Sequence, residues 1–130
     1  MNRKEQLKEF DTWIKEMKTI LTNKSADYSG KQDVLKNFKY AKCLGYNPLD
    51  GIVIRMSDKI CRIAEFTKTG ALKVEDEKIK DTLLDLSNYS FLYYLLFIDE
   101  SNGNMDCPND YHSEEYEYDK EHYRRTPYER

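Results

Sequence analysis

Three carboxylates recur along one stretch of this chain at a spacing that stacks them. In the run 76–98, DEKIKDTLLDLSNYSFLYYLLFI, Glu77, Asp81 and Asp85 stand i, i+4, i+8, and Asn88 follows three residues later. At 3.6 residues per turn these four side chains share one face of a helix. Leu83, Leu84, Leu86, Phe91, Tyr93, Leu95, Leu96 and Ile98 cover most of the remaining circumference. A helix that apolar is expected to be buried, and buried carboxylates are costly unless a cation faces them. A second cluster supplies the opposite charge. In RMSDKICRIAEF, Arg55, Asp58, Lys59 and Arg62 stand i, i+3, i+4, i+7 and lie on one helical face.

Two arrangements satisfy both clusters. In one, Arg55, Lys59 and Arg62 pair with Glu77, Asp81 and Asp85 as a polar seam between helices. In the other, Asp58, Asp81 and Asp85 with Glu77 hold Mg²⁺, and the basic residues contact phosphates. Mg²⁺ prefers oxygen ligands, keeps several waters and is commonly held by a few carboxylates plus substrate phosphates. Carboxylates from two facing helices meet that need. The segment KSADYSG and the helix start after it add Lys24, Asp27, Tyr28 and Asn37 as groups able to approach the same groove. A tyrosine there can stack on a base, and Asn37 can read a base edge or cap the helix. Phe38 is expected in the core. The chain has no nucleophile elbow, no P-loop glycine pattern and no HExxH. His112 and His122 fall in the tail, away from these clusters.

These side chains need helices to position them. Leu7, Phe10, Ile14, Met17 and Leu21 repeat at 3, 4, 3, 4, which predicts a helix over about 3–22, with Trp13 and Ile20 widening its stripe. Residues 23–33, NKSADYSGKQD, are rich in turn-formers and are expected to form a loop. A shorter helix is expected over about 33–44, with Val34, Leu35, Phe38, Ala41 and Leu44 inward and Gly45 at its C-terminal end. Asn47-Pro48-Leu49-Asp50 is a helix start: Asn47 caps, Pro48 fits the first helical position, and Asp50 suits the positive end of the dipole. That helix should run to about Thr67 and stop before Gly70. Residues 68–75 connect, and Asp76 is expected to cap the last long helix. With no periodic strand pattern, the fold class is all-α, a small bundle of about four helices. Residues 1–100 form the helical domain and 101–130 an acidic, tyrosine-rich tail. The tail lacks aliphatic residues for a core of its own, and is expected to be partly disordered or docked on a neighbouring subunit.

Charge narrows the partners. The net charge is −3, which leaves no electrostatic footprint for DNA or RNA. Residues 1–98 carry 17 basic and 14 acidic residues, and residues 99–130 carry 4 and 10. A mildly basic domain suits a phosphorylated small molecule. Three cysteines without CxxC or Cys/His spacing argue against a disulfide framework and a zinc site. Cys43 and Cys61 are expected as buried small apolar residues. The charged start MNRKEQLKEF is unlike a secretory leader, and no window reaches the roughly 18 apolar residues of a membrane span. A cytoplasmic protein is expected. The apolar surface of the first and last helices exceeds what a short bundle buries alone, so a homodimer or higher homo-oligomer is expected.

The blocks D27-Y28, N37-F38, G51-I-x-I-R55-M56-x-D58-K59-I-x-R62 and D76-E77-x-I-x-D81-T82-L83-L84-D85-L86-x-N88-Y89 resemble the phage and bacterial nucleotide modification associated domain 1 family. The resemblance spans about residues 20–98 and leaves out the tail. A more distant similarity is to the all-α nucleoside triphosphate pyrophosphohydrolases, the MazG and dimeric dUTPase group. That similarity implies Mg²⁺-dependent attack of water on a nucleoside triphosphate with release of pyrophosphate. Asp81 and Asp85 would be metal ligands, and Asp58 would be the facing helix's contribution. Together with the residue pattern, this makes Asp58 and Asp85 the candidate catalytic residues, and Lys24, Asp27, Tyr28, Asn37, Arg55, Lys59, Arg62 and Asn88 the candidate nucleotide contacts. The chain departs from those enzymes where they carry EExxE: I54-R55-M-S-D58 keeps one acid and has Ile and Arg at the other two positions. Fewer carboxylates weaken Mg²⁺ binding. The alternative expectation is therefore a non-catalytic phage protein that binds or sequesters a nucleotide, or docks on a host protein through its tail, in the host cytoplasm.

Overall fold

The computed structural model describes residues 1–28, 33–71 and 78–109, with the side chains of all of these except 24–28. They form four helices and no strand: α1 (Arg3–Tyr28), α2 (Lys36–Cys43), α3 (Pro48–Thr69) and α4 (Ile79–Ser101). The all-α bundle expected from periodicity is the observed fold. No helix among the described residues is long and apolar enough to cross a membrane.

Local chemistry explains the helix ends. At α1 the Asn2 side chain accepts from the Glu5 N–H at 2.9 Å, and the Glu5 carboxylate accepts from the Asn2 N–H at 2.8 Å. Each satisfies a backbone donor the helix cannot. The helix then runs six residues past the expected end, through the segment read as a loop. Lys24, Ser25, Ala26 and Asp27 are all compatible with helix, and neither Gly nor Pro interrupts them. At α2 the start is later than expected. The Asp33 carboxylate accepts from the Leu35 N–H at 2.9 Å, so the chain makes a turn before it coils. Gly45 follows with φ +83°, a conformation that favours glycine, and the Tyr46 N–H closes on the Ala41 carbonyl at 2.9 Å.

The start of α3 is as expected: Asn47 caps, its side chain accepting from the Leu49 N–H at 3.0 Å, and Pro48 takes the first turn. Its end is Gly70, left-handed at φ +71°. For α4 the cap is Lys78, not Asp76, which lies outside the described residues.

The packing centres on α4, which lies most extensively on α3 and less on α1, while α2 packs on α3. Leu35, Leu49, Ile52, Leu96 and Met105 form the core, with Phe38, Met56, Tyr89, Leu92 and Leu95 against it. Met105 belongs to the stretch read as tail, so the chain just after α4 is part of the folded body. Beside it, Cys107 forms a disulfide with Cys43 at the end of α2, their Cα atoms 4.9 Å apart. This corrects the expectation that the cysteine spacing argues against a disulfide, and that Cys43 is a buried small apolar residue. The remaining cysteine, Cys61, is exposed rather than buried. The expectation that α4 is buried all round is also corrected. One side of it meets α3, while Phe91, Tyr94 and Phe97 stand in solvent. Val34 and Leu44 of the α2 region and Val53 and Ile60 of α3 are exposed as well.

Candidate functional site

The polar stripe of α4 meets lysines. Asp85, half-buried, faces Lys59 Nζ of α3 at 3.1 Å. Four turns further along, Asp99 accepts from Lys39 Nζ of α2 at 2.7 Å, and the same ammonium donates to Asp33 at 2.7 Å. Lys39 is buried, so its charge survives only because two carboxylates hold it. Burial pulls the Lys39 ammonium toward deprotonation. The hydrogen bonds and negative charges of Asp33 and Asp99 outweigh that and raise its pKa above the ordinary lysine value. Burial likewise works against the Asp33 carboxylate. The Lys39 hydrogen bond, the Leu35 N–H and the charges of Lys39 and Lys36 hold its pKa below the ordinary range.

The other members of the stripe diverge. Asp81 is exposed and turned to its own helix start, where its carboxylate accepts from the Lys78 N–H at 3.4 Å. Asn88 is buried, 5% exposed, and its Nδ2 donates to the Met17 carbonyl of α1 at 3.4 Å. Its Oδ1 is buried with no hydrogen-bond partner. Glu77 lies outside the described residues. On α3, Asp58 is exposed and lies 3.4 Å from the Nε of Arg62, on its own helix. Arg55, exposed, places its guanidinium 5.5 Å from the centre of the Phe38 ring. Phe38 is thus both a flank of the core and a platform for a cation. Asn37 is half-buried on α2 and has partners of its own. Lys24, Asp27 and Tyr28 belong to the last turns of α1, not to a loop. Their side chains lie outside the described residues.

The residues named for Mg²⁺ therefore do not fit that ion as placed. Asp85 faces an ammonium, Asp58 is paired on its own helix, and Asp81 caps α4. Among the described residues no group of three or more His, Cys, Asp or Glu side chains is arranged to hold a metal. The basic face of α3 is brought together, with Arg55, Lys59 and Arg62 along one side of one helix. Sequence reading missed the Asp33–Lys39–Asp99 group. Two signals pointed to it: Asp99 falls fourteen residues after Asp85, close to four full turns, and Lys39 stands one turn after Leu35 on the inward face of α2.

Compared with known protein families, curated proteins and solved structures, the chain matches none.

Proposed function

We propose that this protein binds the phosphate end of a nucleotide along the basic face of α3 and does not hydrolyse it. The observation that carries this reading is the Lys59–Asp85 pair: an ammonium stands where a metal-dependent hydrolase needs a carboxylate-held cation. A phosphate oxygen that takes Lys59 must offset the cost of leaving the half-buried Asp85 without its ammonium, and the two arginines beside it supply the added positive charge. Arg55, backed by Phe38, and Arg62 offer planar forks of donors suited to two oxygens at once. Asp58 restrains Arg62 until an anion arrives.

The test is a thermal-shift series with nucleoside mono-, di- and triphosphates, with and without Mg²⁺, each followed for pyrophosphate. The expected result is stabilisation that survives chelation, without product. At ligand one hundred-fold above Kd it amounts to about 2.7 kcal/mol. It should be lost in Arg55→Ala and in Lys59→Gln. No shift with any nucleotide would sink the reading.

Mg²⁺-dependent hydrolysis is the second reading, and Asn88 favours it. Its Oδ1, one turn from Asp85, is buried without a hydrogen-bond partner and is an acceptor for a donor such as water. Pyrophosphate release that requires Mg²⁺ and disappears in Asp85→Asn would establish it in place of the first.

A further inference from the structure

Among the described residues, two apolar faces stand exposed with nothing packed on them. The stripe that seats α1 near Met17 continues toward the N-terminus at the same angular position through Ile14, Phe10 and Leu7. There it runs into solvent, with Leu7 55% and Phe10 57% exposed. Its 3, 4, 3, 4 spacing is that of a helix paired with another helix. The second face is the side of α4 turned away from α3, where Phe91, Tyr94 and Phe97 project, Tyr94 58% and Phe97 53% exposed.

This α4 face is prepared for burial. From Thr82 to Ile98 the helix has a single charged residue, Asp85, and that one faces α3. Its serines are satisfied by their own helix: Ser87 donates to the Leu83 carbonyl and Ser90 to the Leu86 carbonyl, both at 2.9 Å. Covering them leaves no hydroxyl proton unpaired. The core is correspondingly thin, with six buried apolar side chains among the described residues against fourteen large ones exposed.

We infer that a second copy of this chain covers both faces, and that α1 and α4 of each copy together build one four-helix bundle about a two-fold axis. Self-association fits because α1 already lies on α4 within the chain, Glu16 meeting Lys80 and the Met17 carbonyl meeting Asn88, and its exposed apolar positions continue from there toward the N-terminus. A bilayer surface fits poorly. The helix carries Glu5, Glu9 and Asp11 among its lysines, not the basic polar face of a membrane-lying helix. The area suffices. With roughly 200 Å² per aromatic side chain and about half of it exposed, Phe10, Phe91, Tyr94 and Phe97 with Leu7 and Ile14 supply on the order of 600 Å² per copy. Doubled, that is about 1,200 Å², the lower bound of a specific interface.

Light scattering on the eluting full chain, at tens of micromolar, tests this. The wild type should have twice the 15.5 kDa chain mass. The double variants Phe10→Glu/Ile14→Glu and Tyr94→Glu/Phe97→Glu should each run at the single-chain mass, with dimer affinity reduced at least ~100-fold and helical circular dichroism retained. Ile60→Glu, on the exposed side of α3, should leave the dimer intact. If one double variant unfolds, the other still decides. A wild type at the single-chain mass overturns the inference. So does a dimer that survives both double variants, or one that Ile60→Glu dissociates.

Discussion

Lys39 shows what a single buried charge does here. Its ammonium is held between Asp33 at the entry to α2 and Asp99 near the end of α4, so one side chain ties two elements together. The two titrations set the pH range of that tie. Asp33 is a stronger acid in the folded protein than its ordinary value of 3.8, so its contribution is complete above that value and lost as pH falls through the lower, folded one. Lys39 is a weaker acid than its ordinary 10.5, so its contribution is complete below that value and lost as pH rises through the higher, folded one. The tie is therefore intact across the neutral range. Melting temperatures followed downward in pH should fall below about pH 4, and Asp33→Asn should flatten that fall. Parallel profiles for the two proteins would remove Asp33 from the account. The same scale carries the reading of Lys59 and Asp85. Of the described carboxylates expected on that stripe, Asp85 has a lysine opposite it and Asp81 turns to its own helix start.

Among the elements, α3 and α4 carry the stability, and α2 braces them. Ile52 of α3 and Leu96 of α4 are wholly enclosed. Leu96→Ala leaves a cavity the helices cannot close and should cost about 3 kcal/mol. Asn47→Ala removes the side-chain acceptor that starts α3 and should cost about 1 kcal/mol. Urea unfolding of both variants checks the order. A cap variant as damaging as the core variant would mean that α3 depends on its first turn more than on its packing. The elements also show where pattern reading succeeds and where it stops. Asn47-Pro48 and Gly70 bound α3 where local chemistry says they should, because caps and left-handed glycines are decided within a few residues. Residues 23–28 are helical where a loop is expected, because their polar residues are tolerated in a helix as well as in turns.

Across the molecule, the Cys43–Cys107 disulfide closes a separation of 64 residues and fastens the chain after α4 to the end of α2. Met105, buried in the core, lies inside that closure. A cross-link of this span restricts the unfolded chain, and its loss should cost about 2–4 kcal/mol. Melting with and without a thiol reductant measures it. Cys107→Ser should reproduce the reduced protein and be insensitive to reductant, while Cys61→Ser should behave as the wild type. An unchanged melting temperature on reduction would mean that packing around Met105 alone holds the segment. At this scale belong also the exposed apolar faces of α1 and α4, which we infer a second copy to cover.

Helix class, the α3 start and stop, and the apolar stripes of α1 and α4 follow from the sequence by itself. They depend on period, caps and turn residues, all set by neighbours within about two turns. The charge stripe of α4 and the basic face of α3 were equally legible. What stands opposite each carboxylate was not, since that depends on which helix crosses where. Only the tertiary structure put Lys59 against Asp85, drew Lys39 between Asp33 and Asp99, and brought Cys107 to Cys43 across about half of the chain. Sequence spacing places side chains on a face. Packing decides which other face they meet, and that meeting set the Lys59 ammonium against Asp85.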